Sequence, residues 1–186
     1  MSAQEPQTVN SILWHREPEQ TGMRPDAVLH GWLKESGLLT VRLRQLCDEG
    51  FRLEVLDANS NATQSAETGI HRTVMLHCGD NPCIYAETTI PAATAIRHPW
   101  LKELGDEPLG ERLQSQPDVQ RSEFRFALLS AGNLPDDLTI DMADNSTSPL
   151  WARQSDFQLG NTSLTVTEVF LPGIVDYTKP HIHSAD

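Results

Sequence analysis

Three things are scarce in this chain of 186 residues, and each scarcity excludes something. Positive charge is the first: 14 Lys and Arg stand against 26 Asp and Glu, a formal net charge of -12, so the long-range field repels phosphate backbones and anionic membrane surfaces. Nucleic acid is excluded as an expected partner, and an anionic ligand would have to be met by local arginines. Cysteine is the second, with Cys47, Cys78 and Cys83 alone. An odd count without paired metal-ligand spacing reads as small buried hydrophobes in a reducing cytoplasm, although Cys78 and Cys83 flank "GDNP" closely enough for a bridge across a hairpin. Long apolar runs are the third: nowhere do 18 apolar residues follow one another, and "MSAQEPQTVNSILWHREPEQ" has no basic region ahead of an apolar stretch. Neither a membrane span nor an export signal is expected. A glycine-rich phosphate loop and a nucleophile elbow are missing too. His181 and His183 sit in a tail without a ligand set around them, so no metal site is expected.

What is present fits one domain with a real core. Residues 1–24 are polar apart from Ile12, Leu13 and Trp14 and read as a loosely ordered lead-in; the domain is expected over 25–172, and 173–186 as a trailing tail. "RPDAVLHGWLKES" predicts a helix entered through Pro25 and Asp26, and "LLTVRLRQLCDEG" a second with a Leu39, Leu43, Leu46 stripe ending at Gly50. After Gly50 the period becomes two. Phe51, Leu53 and Val55 mark a strand, "IHRTVMLHC" and "CIYAETTIP" a hairpin, "VQRSEFRFALL" another strand, and "LWARQSDFQLGNTSLTVTEVFLP" a second hairpin around "GN". Between the hairpins, "AATAIRHPWLKEL" is helical until Pro99 and "EPLGERLQS" is a short helix entered at Pro108. Residues 130–149, rich in turn formers and acids, read as an exposed loop. About six strands, mostly in hairpins, predict an α+β domain built on a single antiparallel sheet.

Two residues break the alternation. On the last strand Leu164, Val166 and Phe170 share an apolar face with Glu168; on "IHRTVMLHC", Ile70, Val74 and Leu76 share one with Arg72. A slip of one residue would send the charge to solvent but would expose every hydrophobe of the set. Buried charge is tolerated only when paired and hydrogen-bonded. Either these two pair with each other or with Arg121, Arg125 or Arg153 as a buried network, or they face a cavity, Arg72 gripping a carboxylate and Glu168 meeting a hydroxyl or a proton. His71 and His77 lie on the opposite alternation.

"WLKESGLLTVRL", "HRTVMLHCGDNPCIYAETTIP", "LKELGDEPLGERL" and "LWARQSDFQLGNTSLTVTEVFLP" occur in this order over roughly residues 30 to 172. Together they resemble the chorismate pyruvate-lyase family. The resemblance implies an antiparallel sheet with helical flaps over an internal pocket. It implies an enzyme that splits chorismate into 4-hydroxybenzoate and pyruvate, the entry step of ubiquinone synthesis, as a monomer without metal or organic cofactor. It places the family's carboxylate-binding arginine on Arg72, its hydroxyl-binding glutamate on Glu168, the leucine of its "PLG" flap on Leu109, and a flap hydrophobe on Leu39 or its neighbour Leu38. One departure stands out: Glu87 in "AETTIP" occupies a position where the family commonly carries arginine, a loss that Arg153 or Arg121 could offset. A competing expectation is a binding module, since effector-sensing domains of some transcription regulators resemble this fold without catalysis. The stretch before Pro25, however, is too short and too acidic for a DNA-binding domain. A third is a lyase relative without activity.

Overall fold

The change of hydrophobic period at Gly50 is where helices give way to sheet. The computed structural model describes residues 12–58, 69–130, 133–134, 138 and 148–178. Helix α1 (Ala27–Leu33) starts where the Asp26 carboxylate accepts the Leu29 N–H at 2.8 Å, satisfying a donor that has no partner within the helix. Helix α2 (Leu39–Cys47) buries Leu39 and Leu43 as its leucine stripe predicts. Strands β1 (Phe51–Asp57), β2 (Ile70–Cys78) and β3 (Asn81–Ile90) follow. Helix α3 (Ala92–Arg97) stops before Pro99, which opens a 3-10 turn, and α4 (Leu109–Gln114) starts after Pro108. Strands β4 (Val119–Arg121), β5 (Arg125–Leu129), β6 (Leu150–Leu159) and β7 (Thr162–Phe170) complete the sheet, and α5 (Pro172–Thr178) closes the described chain.

The architecture is the expected α+β with one antiparallel sheet, ordered β1-β2-β3-β7-β6-β4 with β5 also on β6. It has seven strands instead of about six, because the single strand expected over "VQRSEFRFALL" is two. Arg121 pairs with Phe157 while Arg125 pairs with Gln154, so four steps on one side face three on the other. That extra residue flips the alternation: Arg121 shares a sheet face with Phe126, although their parities differ.

Cross-strand registers lay the inner face out in rows. Leu76, Ile84, Phe170 and Trp151 form one apolar row, and Ile70, Ile90 and Leu164 carry the apolar character at the other end. Between them run Val74, Ala86, Glu168 and Arg153, then Arg72, Thr88, Val166 and Ser155. Helices α1, α2 and α5 pack on the first end, α3 and α4 on the second. The opposite face buries Met75, Tyr85, Ala127, Ala152 and Val169 in a core of its own.

Four further expectations change. The lead-in is held from Trp14 onward: Trp14 packs against the outer core, His15 exchanges both backbone hydrogen bonds with Phe126, at 2.8 and 2.7 Å, and Pro18 is buried. The tail does not trail off at 173, since α5 buries Ile174 in the inner core; His181 and His183 lie outside the described residues. Of the presumed exposed loop, Leu134 and Leu138 pack into the outer core because their apolar surface outweighs the polar residues around them. Cys78 bridges neither Cys83 nor nothing: it forms a disulfide with Cys47, the last residue of α2, at a Cα separation of 5.3 Å. Cys83 remains a buried thiol, pushed by burial up to about 11. The bridge removes the cysteine-based reason for expecting a reducing compartment.

Candidate active site

The two middle rows are where the sheet departs from its apolar pattern, and the covering helices leave the space above them open. The floor holds Ala86, Thr88 and Ser155, small side chains that keep the sheet surface low. The roof comes from Leu38, Leu39 and Thr40 at the start of α2 and from Pro108, Leu109 and Gly110 at the start of α4. The cavity has a volume of about 80 Å³. At about 10–15 Å³ per water that is room for several waters, the scale of one substituted six-membered ring. The two covers meet: a Cβ on Gly110 would come 2.9 Å from Leu38 Cδ2, and Glu111 Oε1 accepts from both Thr40 Oγ1, at 3.1 Å, and Arg44 Nη1.

Arg72 is 4 % exposed and lines the cavity from β2. Its Nη2 donates to the carbonyls of Gly105 at 3.0 Å and Glu107 at 3.2 Å, tethering the loop that leads into α4. Among the described residues Nε and Nη1 make no hydrogen bond. Burial holds this guanidinium below its usual range, opposed by the Asp106 carboxylate; it stays a cation because arginine starts so high. Glu168 lines the same cavity from β7. Its Oε2 accepts from Arg153 Nε at 2.6 Å, and Oε1 is left without a partner among the described residues.

The buried-pair alternative is therefore realised with one of the arginines considered. Glu168 and Arg153 are opposite each other in the β6–β7 register, whereas Arg72 lies two strands and one row away from Glu168, about 12 Å at the backbone for ordinary strand spacing. No ion pair joins Arg72 to Glu168 among the described residues. Arg153 is 1 % exposed, and its Nη1 donates to the carbonyls of Glu35 at 2.7 Å, Leu33 at 3.2 Å and Trp32 at 3.5 Å. These carbonyls lie at and just past the end of α1, at the negative end of its dipole, and the Trp32 carbonyl also accepts the Glu35 N–H at 3.3 Å. Arg153 thus fastens α1 to the sheet and orients Glu168 at once.

Of the other residues singled out, Leu38, Leu39 and Leu109 all line the cavity. Glu87 does not. It points to the opposite face, where its carboxylate takes His71 Nε2 at 2.9 Å, so the acid in place of arginine puts no charge into the pocket. Arg125 pairs with Asp156 at 2.9 Å, and His77 meets Glu54 at 3.1 Å. Arg121, brought to the inner face by the extra residue, lines the cavity as well. Among the described residues no cluster of three His, Cys, Asp or Glu is placed to hold a metal ion, and no helix is long and apolar enough to cross a membrane.

Fold and site together define an antiparallel α+β protein with a cavity between a buried cation and a carboxylate beneath helical covers. A family model described as chorismate lyase matches residues 8–181, and the chain belongs to that family. A protein of Ralstonia nicotianae is 34% identical to it, over 91% of this chain and 96% of the relative. A Shewanella amazonensis protein is also 34% identical, over 90% of this chain and 91% of its own length, and one from Cupriavidus pinatubonensis 35%, over 82% and 84%. Each carries the name probable chorismate pyruvate-lyase.

Proposed function

We propose that this protein is a chorismate pyruvate-lyase, splitting chorismate into 4-hydroxybenzoate and pyruvate at the entry to ubiquinone synthesis, as a monomer in the cytoplasm. The observation that carries the reading is the helix-covered cavity with, among the described residues, donors of Arg72 that make no hydrogen bond at one end and Glu168 Oε1 without a partner at the other. Arg72 meets the ring carboxylate through the charged N–H donors that its two carbonyl partners leave over, on Nη1 or on Nε. Glu168 Oε1 accepts from the ring hydroxyl, and Leu39 and Leu109 exclude water. The C–O bond of the enolpyruvyl ether breaks, the proton leaves the adjacent hydroxyl-bearing ring carbon, and the methylene carbon of the departing enol gains one. The ring becomes aromatic, which supplies the driving force, so holding the substrate in a reactive shape is the main task and no nucleophile is required.

Incubating the purified protein with chorismate should yield 4-hydroxybenzoate and pyruvate in equal amounts, and absence of both products would end this reading. Glu168→Gln keeps a hydrogen-bonding oxygen but cannot take a proton. We expect turnover within about tenfold of wild type; a loss of about 10²–10⁴ would assign Glu168 the proton transfer instead. The other reading, a sensor that binds an aromatic acid without turnover, has no observation in its favour.

A further inference from the structure

We propose that Arg121 forms a second carboxylate subsite, at the Glu168 end of the cavity, that holds the side-chain carboxylate of the dianionic substrate. The inference rests on the preceding reading, in which Arg72 takes the ring carboxylate and Glu168 the ring hydroxyl. In chorismate the enolpyruvyl ether sits on the ring carbon next to the one bearing that hydroxyl. Its carboxylate therefore lies beside Glu168 and away from Arg72, and the net charge of -12 offers it no general attraction. A local cation must meet it there.

Two arginines lie at that end. Arg153 stacks 4.1 Å from the centroid of the Phe124 ring and Arg121 4.6 Å from it. Arg153 already has its charge paired with the Glu168 carboxylate and spends Nε on it and Nη1 on the carbonyls at and just past the end of α1, leaving only Nη2 without a hydrogen bond among the described residues. Arg121 lines the cavity and donates Nη2 to the Ser36 carbonyl, while its Nε and Nη1 make no hydrogen bond among the described residues. Arg125, the remaining arginine nearby, is paired with Asp156. Burial and then the charge of Arg153 hold the Arg121 guanidinium below its usual range, with Glu168 and Glu35 opposing. Two cations flanking Phe124 beside the Glu168 carboxylate make a place where an incoming anion is favoured. There is also room for it: Arg121 borders an adjoining cavity walled by Leu113, Gln116 and Val119.

The test separates the two carboxylates. 4-Hydroxybenzoate lacks the second one, so Arg121→Gln should leave its Kd within about twofold of wild type while raising the KM for chorismate at least about tenfold. Arg121→Lys should recover part of that loss, because it restores charge without the fork. If KM is unchanged, or if both ligands weaken equally, the subsite is overturned. Should Arg121→Gln not fold, as judged by thermal unfolding, Arg121→Lys alone decides: a chorismate KM raised about threefold or more at unchanged product Kd supports the subsite, and no such split overturns it. Failure of the underlying reading shows separately, as wild-type protein that yields no product from chorismate.

Discussion

Glu168 can sit among Leu164, Val166 and Phe170 because the residue opposite it on β6, Arg153, turns the same way and carries the opposite charge. The same departure from alternation that picks out Arg72 and Glu168 also holds on β6, where Trp151, Arg153, Ser155 and Phe157 share a face. Applied there, it finds Arg153. Which of several arginines takes the glutamate is invisible in the sequence, since partners 15 residues apart meet only through register. Arg153→Met removes the Glu168 partner and the donor for carbonyls at the end of α1. We expect a loss of about 3–5 kcal/mol in urea unfolding, the cost of leaving a buried charge unpaired. The double variant with Glu168→Gln should regain part of it, since the orphaned charge goes with the glutamate.

At the scale of elements, most helices and strands follow from caps, prolines and period. The covers are held less by their own sequences than by what ties them down. Helix α2 is bonded to the end of β2 through Cys47 and Cys78, while the approach to α4 hangs from Arg72 Nη2. The bridge closes a separation of 31 residues, for which chain entropy gives about 3–4 kcal/mol. Cys47→Ser, or reduction of the wild type, should lower unfolding stability by up to that amount, and a change below about 1 kcal/mol would mean the bridge does not hold α2. The pairing was not legible because Cys78 lies nearer in sequence to Cys83. Strand β2 turns Cys78 toward the helix layer, where α2 ends.

Across the whole molecule, charge and site oppose each other: a chain of net charge -12 takes in an anion. Long-range repulsion is screened by salt, while the contact proposed for the buried Arg72 would be screened much less. The association rate of 4-hydroxybenzoate should therefore rise as ionic strength goes from about 0.01 M to about 0.15 M, over which the Debye length falls from about 30 Å to about 8 Å. Stopped-flow tryptophan fluorescence would read it, and a falling rate would show that local arginines dominate the approach. By itself the sequence determined the element types, the antiparallel α+β class, the acidic field and two charges on apolar faces, because periodicity, turn chemistry and composition act over short stretches of chain. Only the tertiary structure decided that Arg72 and Glu168 stand apart across one cavity, that Arg153 holds the glutamate, that one extra residue turns Arg121 inward, and that Glu87 faces away. Those outcomes depend on cross-strand register and on how covering helices meet the sheet, and both are settled between segments far apart in sequence.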